Sequence, residues 1–426
     1  MISMGSIKSK IYQLLKKTEK YTQTDNIYLA KGGFWLTLAK AVAALSSFLT
    51  AVAFANLLDP DLYGNYKYIL SLVGFLNIFT LKGIITALTQ AASRELEGGF
   101  YSLAKTKVKF ACLHSLGVIV LGVYYFCKSN YLLALPLFFV AFLLPLRSVF
   151  SLAPAILLGR KNFRLNSKFL SIENLAVAIS LIAFLLLARQ FPSYHLLIVF
   201  ILTAIYFSVL TICDGILYYR VKKKLKPNKK EGEKTKKNGY HLTFVNFLGQ
   251  IIQYLDQILV FHNLGAAQLA MYTFALLPVD KLQEPMQMVS TLALPKFSVK
   301  HPEDLKKNLL PKILKLLLFT ALVMGLYILI APWVFKFFFP RYTNAIFYSQ
   351  VYAISLLGVA YTISSIALTS QMAIKKIYAL EIPTAILDIL LLVAGFYLWG
   401  ILGIIIARVA SEIIRSVVSL IMIKKL

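Results

Sequence analysis

Residues Arg220 to Tyr240 read RVKKKLKPNKKEGEKTKKNGY and carry ten lysines and arginines. This is the only long run of the chain without apolar segments. Segments long enough to cross a bilayer lie on both sides of it, six before and six after. A charge run of this kind reads as a solvated linker, here joining two halves of a membrane protein.

Composition agrees. Of 426 residues 59% are hydrophobic and only 15% charged, with a mean hydropathy of +0.72, which excludes a soluble multidomain protein. The formal charge of +27 would suit nucleic acid, yet the basic residues sit between apolar runs instead of alternating with stacking aromatics. They serve better as topology signals. Cys112, Cys127 and Cys213 lie within or beside apolar runs at no metal-ligand spacing, so neither a disulfide framework nor a zinc site is expected. The first apolar run starts near Gly32 and is too long for the core of a cleavable signal peptide.

In residues 4–20, Ile7, Ile11, Leu14 and Leu15 recur at helical spacing among five lysines, which predicts a short helix on the inner membrane surface. The spans then fall near 33–57, 66–90, 108–127, 130–157, 168–188 and 194–219, and after the linker near 241–264, 267–295, 310–335, 345–373, 376–398 and 400–423. Each has roughly the 20 residues that about 30 Å of hydrocarbon demands, and all are read as helices because only closed backbone hydrogen bonding is tolerated there. The division is 1–31 as an interfacial helix, 32–219 as an N-lobe, 220–240 as a basic linker and 241–426 as a C-lobe. With the N-terminus inside, the inner segments hold 33 lysines and arginines and the outer connections five, namely Lys67, Lys128, Arg189, Lys336 and Arg341. That bias places both termini in the cytoplasm of a multi-pass protein of the cytoplasmic membrane.

The sequence also repeats. Asn56 to Tyr66 reads NLLDPDLYGNY and His262 to Tyr272 reads HNLGAAQLAMY, so that an offset of 206 places Leu58 on Leu264 and Tyr66 on Tyr272. Two parallel six-span repeats follow. The LLDPDLYGNY turn, the six-plus-six layout and the LGxxxxxMY echo entered from a span carrying Asp256 resemble the oligosaccharide flippases of the multidrug/oligosaccharidyl-lipid/polysaccharide exporter superfamily, and twelve spans resemble the O-antigen and capsule branch. The resemblance covers nearly the whole chain. It implies an all-α fold of two six-helix lobes in a V that alternates access. It also implies a lipid-linked oligosaccharide on an undecaprenyl pyrophosphate anchor as the cargo.

An ionisable group at mid-membrane costs at least about 2.5 kcal/mol, so each one needs a partner or water. Lys40, Lys82 and Arg147 fall at one depth in the first half, roughly 12 to 18 Å from the inner surface at about 1.5 Å per residue. Lys40 shares a face with Thr37, Ala44 and Ser47, and Lys82 with Thr86 and Thr89. Together the three cations are expected to form a pyrophosphate site, since several cations can replace the hydration of such a group; snorkelling to inner headgroups is the alternative for the two lysines. The second half differs in sign. Asn246, Gln250, Gln253 and Gln257 form a polar stripe beside Asp256. Asp280, Glu284, Gln287 and Thr291 form another, with Lys281 adjacent, and Asp388 follows later. These carboxylates are expected to bind a coupling proton or Na⁺, or to close a gate. Arg408, Glu412 and Arg415, at i, i+4 and i+7, are expected to compensate one another as a structural cluster.

No P-loop, nucleophile or metal motif is visible, so no enzyme activity and no cofactor beyond a coupling H⁺ or Na⁺ is expected. The expected partners are a lipid-linked oligosaccharide, membrane lipids and other polysaccharide assembly proteins, without nucleic acid. The competing reading is a cation-coupled multidrug exporter of the same superfamily, which the second-half carboxylates would suit.

Overall fold

A computed structural model describes residues 26–190, 193–223, 225, 229–245, 247–298, 302–370 and 374–424. The expected interfacial helix at 4–20 lies outside them. All the regular structure among the described residues is helical. The N-lobe comprises α1 (Asn26–Leu57), α2 (Pro60–Leu76) with a 3₁₀ turn (Asn77–Thr80), α3 (Gly83–Ala92), α4 (Phe100–Cys127), α5 (Tyr131–Phe150), α6 (Leu152–Gly159), α7 (Phe163–Ala188) and α8 (His195–Lys222). After α9 (Lys229–Val245) come α10 (Phe247–Leu264), α11 (Ala266–Ser298) and α12 (Pro302–Phe338). The C-lobe continues through 3₁₀ turns at Pro340–Ala345 and Ala353–Gly358, which flank α13 (Ile346–Tyr352), and then α14 (Val359–Ser370) and α15 (Ile374–Lys424).

Eight helical segments among the described residues are long and apolar enough to cross a membrane, and a ninth is formed by α2 and α3 bent by 56°. Two further helices, α10 and α11, fall below that apolar measure because glutamines and carboxylates dilute it, and they take the place of two spans in the twelve-helix fold. The long α15 breaks at Trp399 and at Gly400, which has φ +59°, and so supplies the last two spans. There Gly395 and Gly403 cross so closely that a Cβ on Gly403 would lie 1.8 Å from the Gly395 carbonyl oxygen. Twelve spans in two six-helix lobes result.

The repeated turns decide how the lobes meet. Asp59 caps α2 by accepting the Asp61 N–H at 3.0 Å, with Pro60 as the first helical residue. In the second copy Gly265, at φ +89°, makes the turn instead. The two turns face each other at the end of the molecule away from the linker, the far side. There Asp61 Oδ1 accepts the Ala267 N–H at 3.1 Å, joining residues 206 positions apart, which is the offset of the sequence repeat. Around this bond Asn56 Nδ2 donates to the Phe338 carbonyl at 3.0 Å and Arg341 Nη1 to the Leu58 carbonyl at 2.9 Å. Tyr68 stacks on Phe261 with ring centroids 3.6 Å apart, and Tyr63 lies 4.8 Å from Phe274. The far-side seam is closed.

The linker read as solvated keeps Glu233, Lys237 and Asn238 exposed and buries one face of its second part. Its second part forms α9, which packs along α3 through Thr235, Gly239 and Thr243, all buried. These small residues recur every four positions, so one face of a lysine-rich helix is smooth enough to approach α3 closely. Thr243 Oγ1 accepts the Gly83 N–H at 3.1 Å.

Ala266 leaves no room for a side chain at position 64, where a Cβ would lie 1.9 Å from its carbonyl oxygen. Overpacking here costs about 1–3 kcal/mol. Gly64→Leu is therefore expected to open the seam, raising labelling of a reporter at the buried Ala270, as Ala270→Cys, by an impermeant maleimide roughly tenfold or more in a background without the three native cysteines.

Candidate functional site

A cavity of about 450 Å³ lies in the N-lobe, extending toward the linker side of the seam. Lys67, Lys82, Lys107 and Arg147 line it together with Asp214, so its formal charge with neutral His114 is +3, four cations less one carboxylate. The break in the second span presents part of this wall. Leu81 adopts a left-handed conformation and Lys82 stands at the N-cap of α3. The polar groups of the unwound turn are satisfied locally, since Thr80 Oγ1 lies 2.6 Å from Asn77 Oδ1 and 2.8 Å from the Asn77 carbonyl. Lys82 is thus held by backbone geometry, which the Thr243–Gly83 bond from α9 reinforces.

The other cations come from different helices. Lys107 on α4 is 2% exposed and donates to Ser151 Oγ at 3.3 Å. Arg147, in the last turn of α5, has its guanidinium carbon 5.5 Å from the Phe207 ring centroid. Asp214 and, behind it, Glu173 lie within electrostatic reach of Arg147. Across the seam Lys67 is within reach of Asp256 and Asp280. Four cations from four helical segments in a confined space favour an anion over a cation, because their charges add at its centre.

Two of the expected residues, Lys82 and Arg147, are in this wall. Lys40 is not among the lining residues. The buried face of α1 carries Ala39 and Ser46, and Lys40, one residue on from Ala39, stands exposed. Lys67 and Lys107 were counted as flanking charges. Their face relations would have found them: Lys107 shares a stripe with His114 seven residues on, and Lys67 with Leu70 and Gly74, all in the same cavity. His114 Nε2 meets the Val73 carbonyl at 3.1 Å, so this buried histidine is satisfied.

The C-lobe charges pair across helices. Asp256, fully buried on α10, meets Arg408 of α15 at 2.5 Å and also accepts a hydrogen bond from Tyr272. Asp388 pairs with Arg415 within α15, across its break. Asp280 accepts from Tyr352 Oη at 3.0 Å, and Lys281 pairs with Glu284 at 2.6 Å. The expected Arg408–Glu412–Arg415 cluster is joined by further carboxylates, since Arg408 pairs with Asp256 and Arg415 with Asp388 while Glu412 lies within electrostatic reach of both arginines. Among the described residues no ion pair joins Glu412 to either arginine; it abuts Gly358 instead. Same-face spacing identifies neighbours on one helix only, and these partners come from tertiary packing. Asn246 lies outside the described residues. A second cavity of about 320 Å³ is lined by Gly249, Ile252, Gln253, Gln257, Leu276, Asp280, Arg408 and Arg415.

Removing one partner of a buried pair strands the other charge and costs about 3–5 kcal/mol, whereas replacing both is close to neutral. Asp256→Ala should lower the thermal midpoint of the purified protein sharply, and Asp256→Ala/Arg408→Leu should recover most of the loss. A double variant no more stable than the single one would contradict the pairing.

The sequence matches the family described as polysaccharide biosynthesis protein over residues 29–299, more than half of the chain. No curated protein sequence matches it. Among solved structures, the inward-facing conformation of a multidrug resistance MATE family transporter of the MOP superfamily is similar with a TM-score of 0.65 at 11% identity, over 90% of this chain and 94% of that one. An outward-facing conformation of such a transporter gives 0.59 at 12% identity, over 93% and 95%. A MOP superfamily transporter from Pyrococcus furiosus gives 0.55 at 13% identity, also over 93% and 95%. The shared fold is the V-shaped arrangement of twelve helices. The chain belongs to the polysaccharide biosynthesis protein family and is a multi-pass membrane protein with the fold of MOP superfamily transporters.

Proposed function

We propose that the protein is a flippase that carries an undecaprenyl-pyrophosphate-linked oligosaccharide from the inner to the outer leaflet of the cytoplasmic membrane for surface polysaccharide synthesis. The observation that carries this reading is the N-lobe cavity, where Lys67, Lys82, Lys107 and Arg147 face a single lining carboxylate. A diphosphate offers several anionic oxygens at one point, and cations converging from separate helices match it. The positive bias of the linker-side segments makes that side cytoplasmic and the far side external. In this state the head group enters from the cytoplasm while the polyprenyl chain stays in lipid.

Binding supplies the drive for the change of state. Lys67 faces the anion site and is also drawn to Asp256 and Asp280 across the seam. A bound diphosphate competes for that lysine and weakens the attraction between lobes, so the ligand favours the open seam by its differential affinity. Arginines neutralise Asp256 and Asp388, and Asp280, beside the second cavity and without an ion pair among the described residues, is a carboxylate able to load and release a coupling H⁺. A cationic drug would meet a cavity of its own sign, so the multidrug reading is the weaker one.

Transbilayer movement of a short-chain polyprenyl-pyrophosphate oligosaccharide in proteoliposomes tests the proposal, with efflux of a cationic dye measured beside it. Each charge-assisted contact contributes about 1.5–3 kcal/mol, so Lys82→Ala and Arg147→Ala should each slow lipid movement roughly tenfold to a hundredfold. Lys40→Ala should change it less than about twofold, and no dye should leave. Dye efflux without lipid movement would overturn the flippase reading, and lipid movement indifferent to an imposed pH gradient would remove the role of Asp280 alone.

A further inference from the structure

The second cavity has a composition that the anion site does not explain. Two of its walls are guanidinium groups, but each is already held by a carboxylate: Arg408 by Asp256 and Arg415 by Asp388. A free cation would be repelled by the arginine forks, and a free anion by Asp280 and the paired carboxylates. What remains is a dense set of donors and acceptors with little net charge to attract either. Gln253 is exposed to this space and makes no hydrogen bond among the described residues. Gln257 accepts from Ser71 Oγ at 2.6 Å, which leaves its amide N–H groups for a further partner. Ile252 and Leu276 supply an apolar patch, and nothing lies within 4 Å of where a Cβ on Gly249 would stand.

Hydroxyl groups disposed around an apolar ring face are the chemistry that fits such a wall. Each hydroxyl both donates and accepts. A primary amide can complement it in both senses, a guanidinium edge donates to it, and a carboxylate accepts from it; Asp280 can do so whether or not it carries a proton. The volume, about 320 Å³, falls at the lower end of the roughly 300–1,000 Å³ of small-ligand pockets.

The position is equally informative. Helix α10 stands between the two cavities: Tyr254 lines the cationic one, and its neighbour Gln253 lines the other. The Ser71–Gln257 bond ties α10 to α2, whose Leu70 and Gly74 line the cationic cavity. A head group that bridges the two cavities would set its diphosphate among the N-lobe cations and its first sugars at this wall.

We propose that the cavity formed by Gln253, Gln257, Asp280, Arg408 and Arg415 is a subsite for uncharged sugar residues, which reads the saccharide proximal to the diphosphate. The inference rests on the flippase reading and deepens it, since the N-lobe binds what all such lipids share and the C-lobe binds what differs among them. Specificity is then carried by groups that lose their hydrogen-bond partners when the sugar is missing.

Equilibrium binding separates the two claims. The probes are short-chain polyprenyl pyrophosphates, one bare and one carrying a neutral hexose disaccharide, added to the purified full-length protein in detergent micelles. The wild type should bind the glycosylated lipid roughly tenfold more tightly than the bare one. Gln253→Ala, which breaks no bond within the protein, should bring that ratio close to one while leaving the affinity for bare lipid unchanged, and Gln253→Asn should retain part of it. Arg147→Ala should weaken both lipids alike. A ratio near one in the wild type, or a ratio that Gln253→Ala leaves intact, would overturn the subsite while sparing the diphosphate site. Preference for a uronic-acid disaccharide over the neutral one would overturn the assignment to uncharged sugars. A wild type that binds neither lipid would overturn the flippase reading, and the subsite with it.

Discussion

An ionised side chain inside a bilayer must be compensated by a partner or by water, and the two lobes meet that demand in opposite ways. In the C-lobe, carboxylates and guanidiniums close on each other across helices, with Asp256 bound to Arg408 and Asp388 to Arg415. In the N-lobe, Lys67, Lys82, Lys107 and Arg147 outnumber the carboxylates near them and gather around a cavity. Paired charges give the first arrangement rigidity. Unpaired ones give the second a demand for anions, and this asymmetry is the physical basis of the transport reading.

On the proposed reading, the seam between the lobes converts occupancy of the cavity into motion. It is built from backbone contacts at the repeated turns, where Asp61 reaches Ala267 and position 64 admits no side chain. Such close packing is all-or-none, because small separations forfeit most of the contact. Helix α2 links seam and site within one element, carrying Gly64 at its far-side end, Lys67 at mid-length and, after the bend, Lys82. On the proposed reading a diphosphate drawn to Lys67 and Lys82 acts on the same helix that closes the outside.

Much of this was legible in the sequence. Hydropathy located most of the spans, whereas the two helices with glutamine stripes, α10 and α11, are too polar for that signal alone. The match of Asn56–Tyr66 to His262–Tyr272 located the turns that meet at the seam. Lys82 and Arg147 stood out because nothing acidic accompanies them in their own helices. Lys67 and Lys107 did not, because each stands at the edge of an apolar run in the sequence, where a lysine usually marks topology, although both lie well inside their helices. Lys40 could not be told from a cavity residue, since its helical neighbours Thr37 and Ser47 suit a lining and an exposed face equally. The ion pairs of Arg408 and Arg415, and the packing of Thr235, Gly239 and Thr243 on α3, depend on partners distant in sequence. Spacing along one helix carries no information about them.

The most direct measurement is a structure of the protein with a short-chain polyprenyl pyrophosphate bound. The diphosphate should lie in the N-lobe cavity, with its oxygens about 2.7–2.9 Å from the Lys82 ammonium and the Arg147 guanidinium, as charge-assisted bonds require. A diphosphate bound elsewhere, with those two side chains still directed at solvent, would contradict the assignment of the cationic cavity as the head-group site.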